Sequence, residues 1–202
     1  MSYPTLKISF NASNLKKGDL TAFLGQNDDF ADYISKYRIS VNILIDSLEN
    51  KTIPNIEFIS LPLLFLLRHV YELTTKSLIT FFEYFQFIGL PYILDKKSHK
   101  ISLLQDYIQK YIGNYKSPRL DSDEVQALND YLKTSLEFST YLEDIDPIST
   151  KLRYHKDDKI HYSFEIHKQL DTKAVIDCYY DYNSKADTLF FYLYRRASLE
   201  RQ

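Results

Sequence analysis

The sequence predicts an all-α fold, a bundle of about five helices with one β-hairpin inserted before the last of them. Three observations carry this reading. Only 4 Gly and 6 Pro among 202 residues leave little material for the tight turns of an all-β chain. Apolar residues recur at intervals of three and four over long windows, the period of a helix with one buried face. One stretch is a convincing β element: in "IHYSFEI", Tyr162, Phe164 and Ile166 interleave with His161, Ser163, Glu165 and His167.

The elements follow in order. Residues 1–25 hold a short alternating piece, "TLKISF", and then polar loop, an arm or edge strand. From Asn27 or Asp28 as N-cap, Phe30, Tyr33, Ile34, Tyr37, Val41, Leu44, Ile45 and Leu48 place a helix over 27–49, closed by "NKTIPN". Ser60 and Pro62 open the second helix, expected over 61–87, because proline suits a first turn. Ile101, Leu104, Ile108, Tyr111 and Ile112 give a third over 99–113, ended by "GNYKSP". The fourth, 122–142, opens with Asp121 and Glu124 spaced as a capping box and points Val125, Leu128, Leu132 and Leu136 inward. "KLRYH" and "IHYSFEI" flank "KDDK" in a hairpin over 151–167. Asp171 caps the last helix, 172–198, whose stripe is Val175, Tyr179, Tyr182, Ala186, Leu189, Phe190, Leu193 and Ala197. No repeat or linker divides the chain, so residues 1–202 are read as one domain.

Bulk composition narrows the function. At 45% hydrophobic and 26% charged residues the chain is an ordinary folded protein. A formal net charge of -2 gives no global basic field for nucleic acid, leaving only a local patch as a route to it. A lone Cys178 excludes an intramolecular disulfide framework and a cysteine-rich metal site, and reads as a small core filler. The start "MSYPTLKISFNASNLKKGD" lacks a charged stretch followed by an apolar one, and the run Ile59–Leu67 is too short to span a bilayer, so a cytoplasmic protein without a membrane partner is expected.

The chemistry concentrates in "LPLLFLLRHVYELTTKSL", residues 61–78. On a helix, Arg68, Glu72 and Lys76 fall on one stripe, each about 40° on from the last, with His69 beside them. Leu63, Leu64, Leu66, Leu67, Val70, Tyr71 and Leu78 cover most of the remaining circumference. A helix apolar nearly all round is buried, so the charged wedge faces charge partners, a cleft or another subunit. Two accounts stand. In one, the wedge is a buried structural ion network. In the other, Arg68 and Lys76 hold an anion such as phosphate, Glu72 orients them and His69 moves a proton. Arg153, at the start of the hairpin, either pairs with Asp144 or Asp146 or brings a second guanidinium to the same pocket.

Other constellations are weaker. His161, Glu165 and His167 share a strand face near Asp157 and Asp158, but alternate strand residues are already about 6.5–7 Å apart, so the set does not close round one ion. Neither a metal nor a cofactor is expected. Eighteen Tyr and no Trp invite base stacking, yet most of them sit at helix-stripe positions, where a half-buried ring is the ordinary arrangement. Glycine-rich phosphate loops, G-x-S-x-G and H-E-x-x-H are absent.

The segments "RHVYELTTKSLI", "SHKISLL" and "DPISTKLRYHKDDK" together resemble the HEPN superfamily, with R-H-x-x-E-L-x-x-K on one helix, a downstream H-x-x-x-L and a late R-Y hairpin. In this chain these are Arg68, His69, Glu72, Leu73 and Lys76, then His99 and Leu103, then Arg153 and Tyr154, spread over residues 55–165. The resemblance implies an all-α, commonly dimeric protein of toxin–antitoxin or phage-defence loci, where many members are metal-independent endoribonucleases. It implies Arg68, His69, Glu72, Lys76 and Arg153 as catalytic groups and Tyr154 and His99 as substrate contacts. A homodimer, RNA or a nucleotide, and an antitoxin or other defence protein are the implied partners. The superfamily's nuclease signature is an Arg, then a polar residue, with four to six residues in all between the Arg and a His. Here Arg153 and His161 have seven residues between them and Arg68 and His69 are adjacent, so cleavage would use a different arrangement. The alternative is a non-catalytic scaffold of the same fold that binds a nucleotide, RNA or protein.

Overall fold

The computed structural model describes residues 30–52, 55–84, 99–113, 120–146 and 171–199. They form five helices: α1 (Phe30–Glu49), α2 (Glu57–Tyr84), α3 (Ile101–Tyr107, continued by a π turn, Ile108–Ile112), α4 (Ser122–Ile145) and α5 (Thr172–Leu199). No β-strand occurs among the described residues, and the expected hairpin at 151–167 and the arm at 1–25 lie outside them.

Helix ends follow local chemistry. The Asp121 carboxylate accepts from the backbone N–H groups of Asp123 and Glu124, at 3.0 and 2.9 Å, while the Asp121 N–H donates to Glu124 Oε2 at 2.9 Å, completing the capping box. Asp171 caps α5 by accepting from Ala174 N–H at 3.0 Å. One boundary differs from the sequence reading. α2 starts at Glu57, four residues before the expected 61, because Asn55 rather than Ser60 supplies the cap: its Oδ1 accepts from Glu57 N–H at 3.0 Å. Pro62 therefore stands in the second turn, exposed, and forfeits one bond to the carbonyl four residues back. At the far end of α3, Gly113 N–H donates to the Ile108 carbonyl at 2.8 Å, and a Cβ on Gly113 would lie 2.6 Å from the Gln109 carbonyl oxygen. That close approach excludes any larger residue without a backbone shift.

α2 is the axis of the bundle. α1 packs along it, α5 packs along α4, and α2 also touches α3, α4 and α5. This is why its apolar residues nearly encircle it: Leu63, Leu67, Val70, Tyr71, Leu78 and Phe82 are fully buried. The core stripe of α4 is rotated from the expected one. Leu128 and Leu132 are buried as expected, but Val125 and Leu136 are exposed, and Glu124, Tyr131, Ser135, Phe138 and Leu142 take the inner positions. The expected stripe counts aliphatic residues alone, whereas the inner face of α4 mixes them with aromatic and small polar ones. No helix among the described residues is long and apolar enough to cross a membrane.

The tyrosines gather inside. Tyr71, Tyr131, Tyr179 and Tyr182 are fully buried around Phe138, with ring centroids 5.2 to 6.1 Å apart in tilted or edge-on pairs. Their hydroxyls need partners there. The Tyr71 hydroxyl lies 2.5 Å from Gln105 Oε1 and 3.1 Å from Ser135 Oγ, which itself donates to Gln105 Oε1 at 2.9 Å. Tyr131 and Tyr182 hydroxyls meet at 3.3 Å. Burial holds the phenols of Tyr71 and Tyr182 well above the ordinary tyrosine range and pushes Tyr179 up to about 12, so all three stay neutral. Tyr71→Phe should cost about 1 kcal/mol, since Ser135 and Gln105 keep each other, and lower Tm by about 3 °C. Tyr71→Ala, opening a ring-sized cavity, should cost about 3–5 kcal/mol. Equal losses for the two variants in thermal melts would refute the division between hydroxyl and ring.

Candidate functional site

The wedge of α2 is buried. Arg68, Glu72 and Lys76 are 4%, 6% and 9% exposed, a depth shared among the charged residues of the other described helices only by Glu124. One helical turn separates each from the next, so all three point at the segment that enters α3. Lys76 Nζ donates to Glu72 Oε1 at 2.8 Å. His99 Nδ1 lies 2.8 Å from the same oxygen. Arg68 Nη2 donates to the His99 backbone carbonyl at 2.7 Å. Residues 27 to 31 positions apart in sequence thus converge on one side chain and one carbonyl.

Electrostatics assign the protons. Burial by itself would raise the Glu72 carboxyl, but the Lys76 ammonium and the His99 ring outweigh it and hold the group below the usual carboxylate range. Glu72 is therefore ionised at neutral pH and only accepts, so Nδ1 of His99 carries the hydrogen of their bond. The His99 side chain is 55% exposed while the carboxylate that holds it is 7% exposed. The arrangement is an imidazole presented at the surface with its tautomer set from below.

The sequence-read residues divide as follows. Arg68, Glu72, Lys76 and His99 come together. His69 lies 100° round α2 from Arg68, its ring edge-on to Tyr37 of α1 at 4.4 Å and stacked on Phe65 at 6.0 Å, half-buried on the α1 side. Arg153 and Tyr154 lie outside the described residues. The Cys178 thiol, half-buried and pushed up to about 12 by its burial and by Glu137 and Asp181, is protonated at neutral pH, in keeping with a packing role.

Two charged contacts had no signature in the sequence. Glu124, legible as a capping-box residue, also accepts from Arg196 Nε at 2.8 Å on both oxygens, and Arg196 Nη2 reaches Oε2 at 2.5 Å, clamping the start of α4 to the end of α5. Arg38 Nη1 donates to Asp187 Oδ1 at 2.5 Å, joining α1 to α5. These partners lie 72 and 149 residues apart, beyond any helical spacing rule.

No protein family, curated protein or solved structure matches the chain.

Removing one partner of the buried wedge leaves Glu72 undercompensated. Lys76→Met should destabilise the protein by about 3 kcal/mol, on the order of 10 °C in Tm. A loss under about 1 kcal/mol would mean that the pair is effectively solvated. The acid limb offers an independent check. Because the folded state holds Glu72 below its unfolded value of 4.5, its contribution is complete above that value and is lost as pH falls through the lower folded value. Denaturant unfolding from about pH 6 to about pH 3 should show a steeper loss for the native chain than for Glu72→Gln. Identical slopes would remove Glu72 from the account of acid stability.

Proposed function

We propose that the chain is a HEPN-like protein that cleaves RNA without a metal, as a homodimer in a toxin–antitoxin or phage-defence system with an antitoxin or other defence protein as its partner. The observation that carries the reading is the half-exposed His99 ring whose Nδ1 is held by the buried carboxylate of Glu72. With hydrogen on Nδ1, the neutral ring offers a lone pair on Nε2, the form a general base needs. In the proposed step that nitrogen takes the proton of a ribose 2′-hydroxyl. The 2′ oxygen attacks the adjacent phosphorus, the bond to the 5′ oxygen breaks to leave a 2′,3′-cyclic phosphate, and the leaving oxygen takes a proton from water, whose hydroxide is neutralised by the proton that the imidazolium gives up. Glu72 stabilises the imidazolium that forms, Lys76 fixes Glu72, and Arg68 fixes the backbone of His99. Arg153 and Tyr154 keep the roles that the resemblance implies, catalytic group and substrate contact. In this reading His99, and not His69, takes the proton-transfer role.

A second reading, a non-catalytic scaffold of the same fold that binds RNA, a nucleotide or a protein, is favoured by a different observation. Arg68 and Lys76 are buried and engaged within the chain, as a structural ion network requires.

Induced expression in a bacterial host, with growth and total RNA followed, separates the two. Native protein should arrest growth and fragment RNA. His99→Gln should lower cleavage by about a hundredfold or more with Tm nearly unchanged, because the ring is half outside. His69→Ala should retain most of the cleavage. Full activity in His99→Gln would overturn the catalytic assignment. RNA left intact by the native protein, with binding retained in a gel-shift assay, would establish the scaffold reading.

A further inference from the structure

α1 packs on α2 and α5 packs on α4, and the seam between α1 and α5 has no extended interface. It leaves a cleft of about 290 Å³, near the lower end of the size range of small-molecule sites. Its lining has three parts. Ile34, Ile39, Phe190 and Tyr194 form apolar walls, and Ser35, Asn42 and Ser77 offer small polar groups. Among the described residues, Arg38 is the cationic group of the lining and Asp187, its ion-pair partner, the carboxylate.

The aromatic wall is held in place before any ligand arrives. Phe190 and Tyr194 are one turn apart on α5, with centroids 6.1 Å apart and planes 29° from parallel. Phe81 of α2 braces Tyr194 edge-on at 5.3 Å. Arg38 is mostly buried, and its Nε has no hydrogen-bond partner among the described residues. A guanidinium offers five donors in a fixed fork, and the bond from Nη1 to Asp187 uses one. Asp187 is 65% exposed, so water can take over its carboxylate at small cost.

We infer that this cleft binds a small aromatic acid, a planar ring of one or two fused cycles carrying one anionic group. The ring lies against Phe190 and Tyr194, and the anion takes the guanidinium of Arg38, displacing Asp187 toward solvent. A cationic ligand is disfavoured, because the positive group lies inside the cleft and its counter-ion at the rim. The site is separate from the wedge of α2 and does not depend on the function proposed for it.

The test uses 8-anilinonaphthalene-1-sulfonate as the probe and its uncharged counterpart N-phenyl-1-naphthylamine as the control, with the full chain titrated by fluorescence. The sulfonate should bind saturably at one site per chain. Arg38→Gln should weaken it about tenfold or more, since a charge-assisted contact is lost. Asp187→Asn should tighten it several-fold by releasing the guanidinium, and this exposed substitution leaves the core intact. The uncharged dye should respond to neither substitution. The inference fails if Asp187→Asn leaves sulfonate affinity unchanged or lowers it, if both dyes respond alike, or if the sulfonate does not saturate. Because the two substitutions are expected to act in opposite directions, a general loosening of the fold cannot imitate the result.

Discussion

Everything in this bundle depends on α2 being surrounded. A helix in contact with each of the other four keeps little surface for solvent, yet this one carries Arg68, Glu72 and Lys76 buried on a single stripe. Charges at that depth are tolerated only with partners of good geometry, and uncompensated ones cost several kcal/mol. The chain meets the requirement by bringing His99 and its carbonyl against the stripe. The start of α3 is therefore located by electrostatics as much as by packing. The side chain that completes the compensation is also the one left half outside. Structural necessity and a surface imidazole of defined tautomer have the same origin.

The rest of the interior follows a similar rule. A core filled by Leu and Val alone would be indifferent to small rotations of α4, because aliphatic surfaces are non-directional. Here the tyrosine hydroxyls, Gln105 and Ser135 require specific partners across α2, α3 and α4. That requirement selects the rotation of α4 that buries Tyr131, Ser135 and Phe138 and leaves Val125 and Leu136 outside. The Glu124–Arg196 clamp fixes the ends of α4 and α5 in the same manner. Between α1 and α5, where Arg38 meets Asp187, the packing opens into a cleft.

The helices were legible because helix formation is local. Period, caps and breakers lie within a few residues of one another, so α1, α3, α4 and α5 begin and end close to where their sequence signals stand. α2 starts before the expected Ser60 because Asn55, which reads as part of the breaker "NKTIPN", accepts from Glu57 N–H and opens the helix earlier. The burial of Arg68, Glu72 and Lys76 was legible for the same local reason: their apolar neighbours on one helix are all within two turns.

What the sequence determined by itself, then, is the set of helices, the faces buried by each of them but α4, and the presence of a charged stripe inside the most apolar of them. What the tertiary structure alone decided is which groups meet that stripe and which way the flanking histidines turn. His69, adjacent to Arg68 in the chain, faces α1 because successive helix residues diverge by 100°. His99, 27 residues beyond Glu72, is delivered to it by the packing of α3 on α2. Neighbourhood along a chain is set by covalent geometry and can be read from the sequence, whereas pairing across helices depends on their relative rotation, which only the packed core establishes.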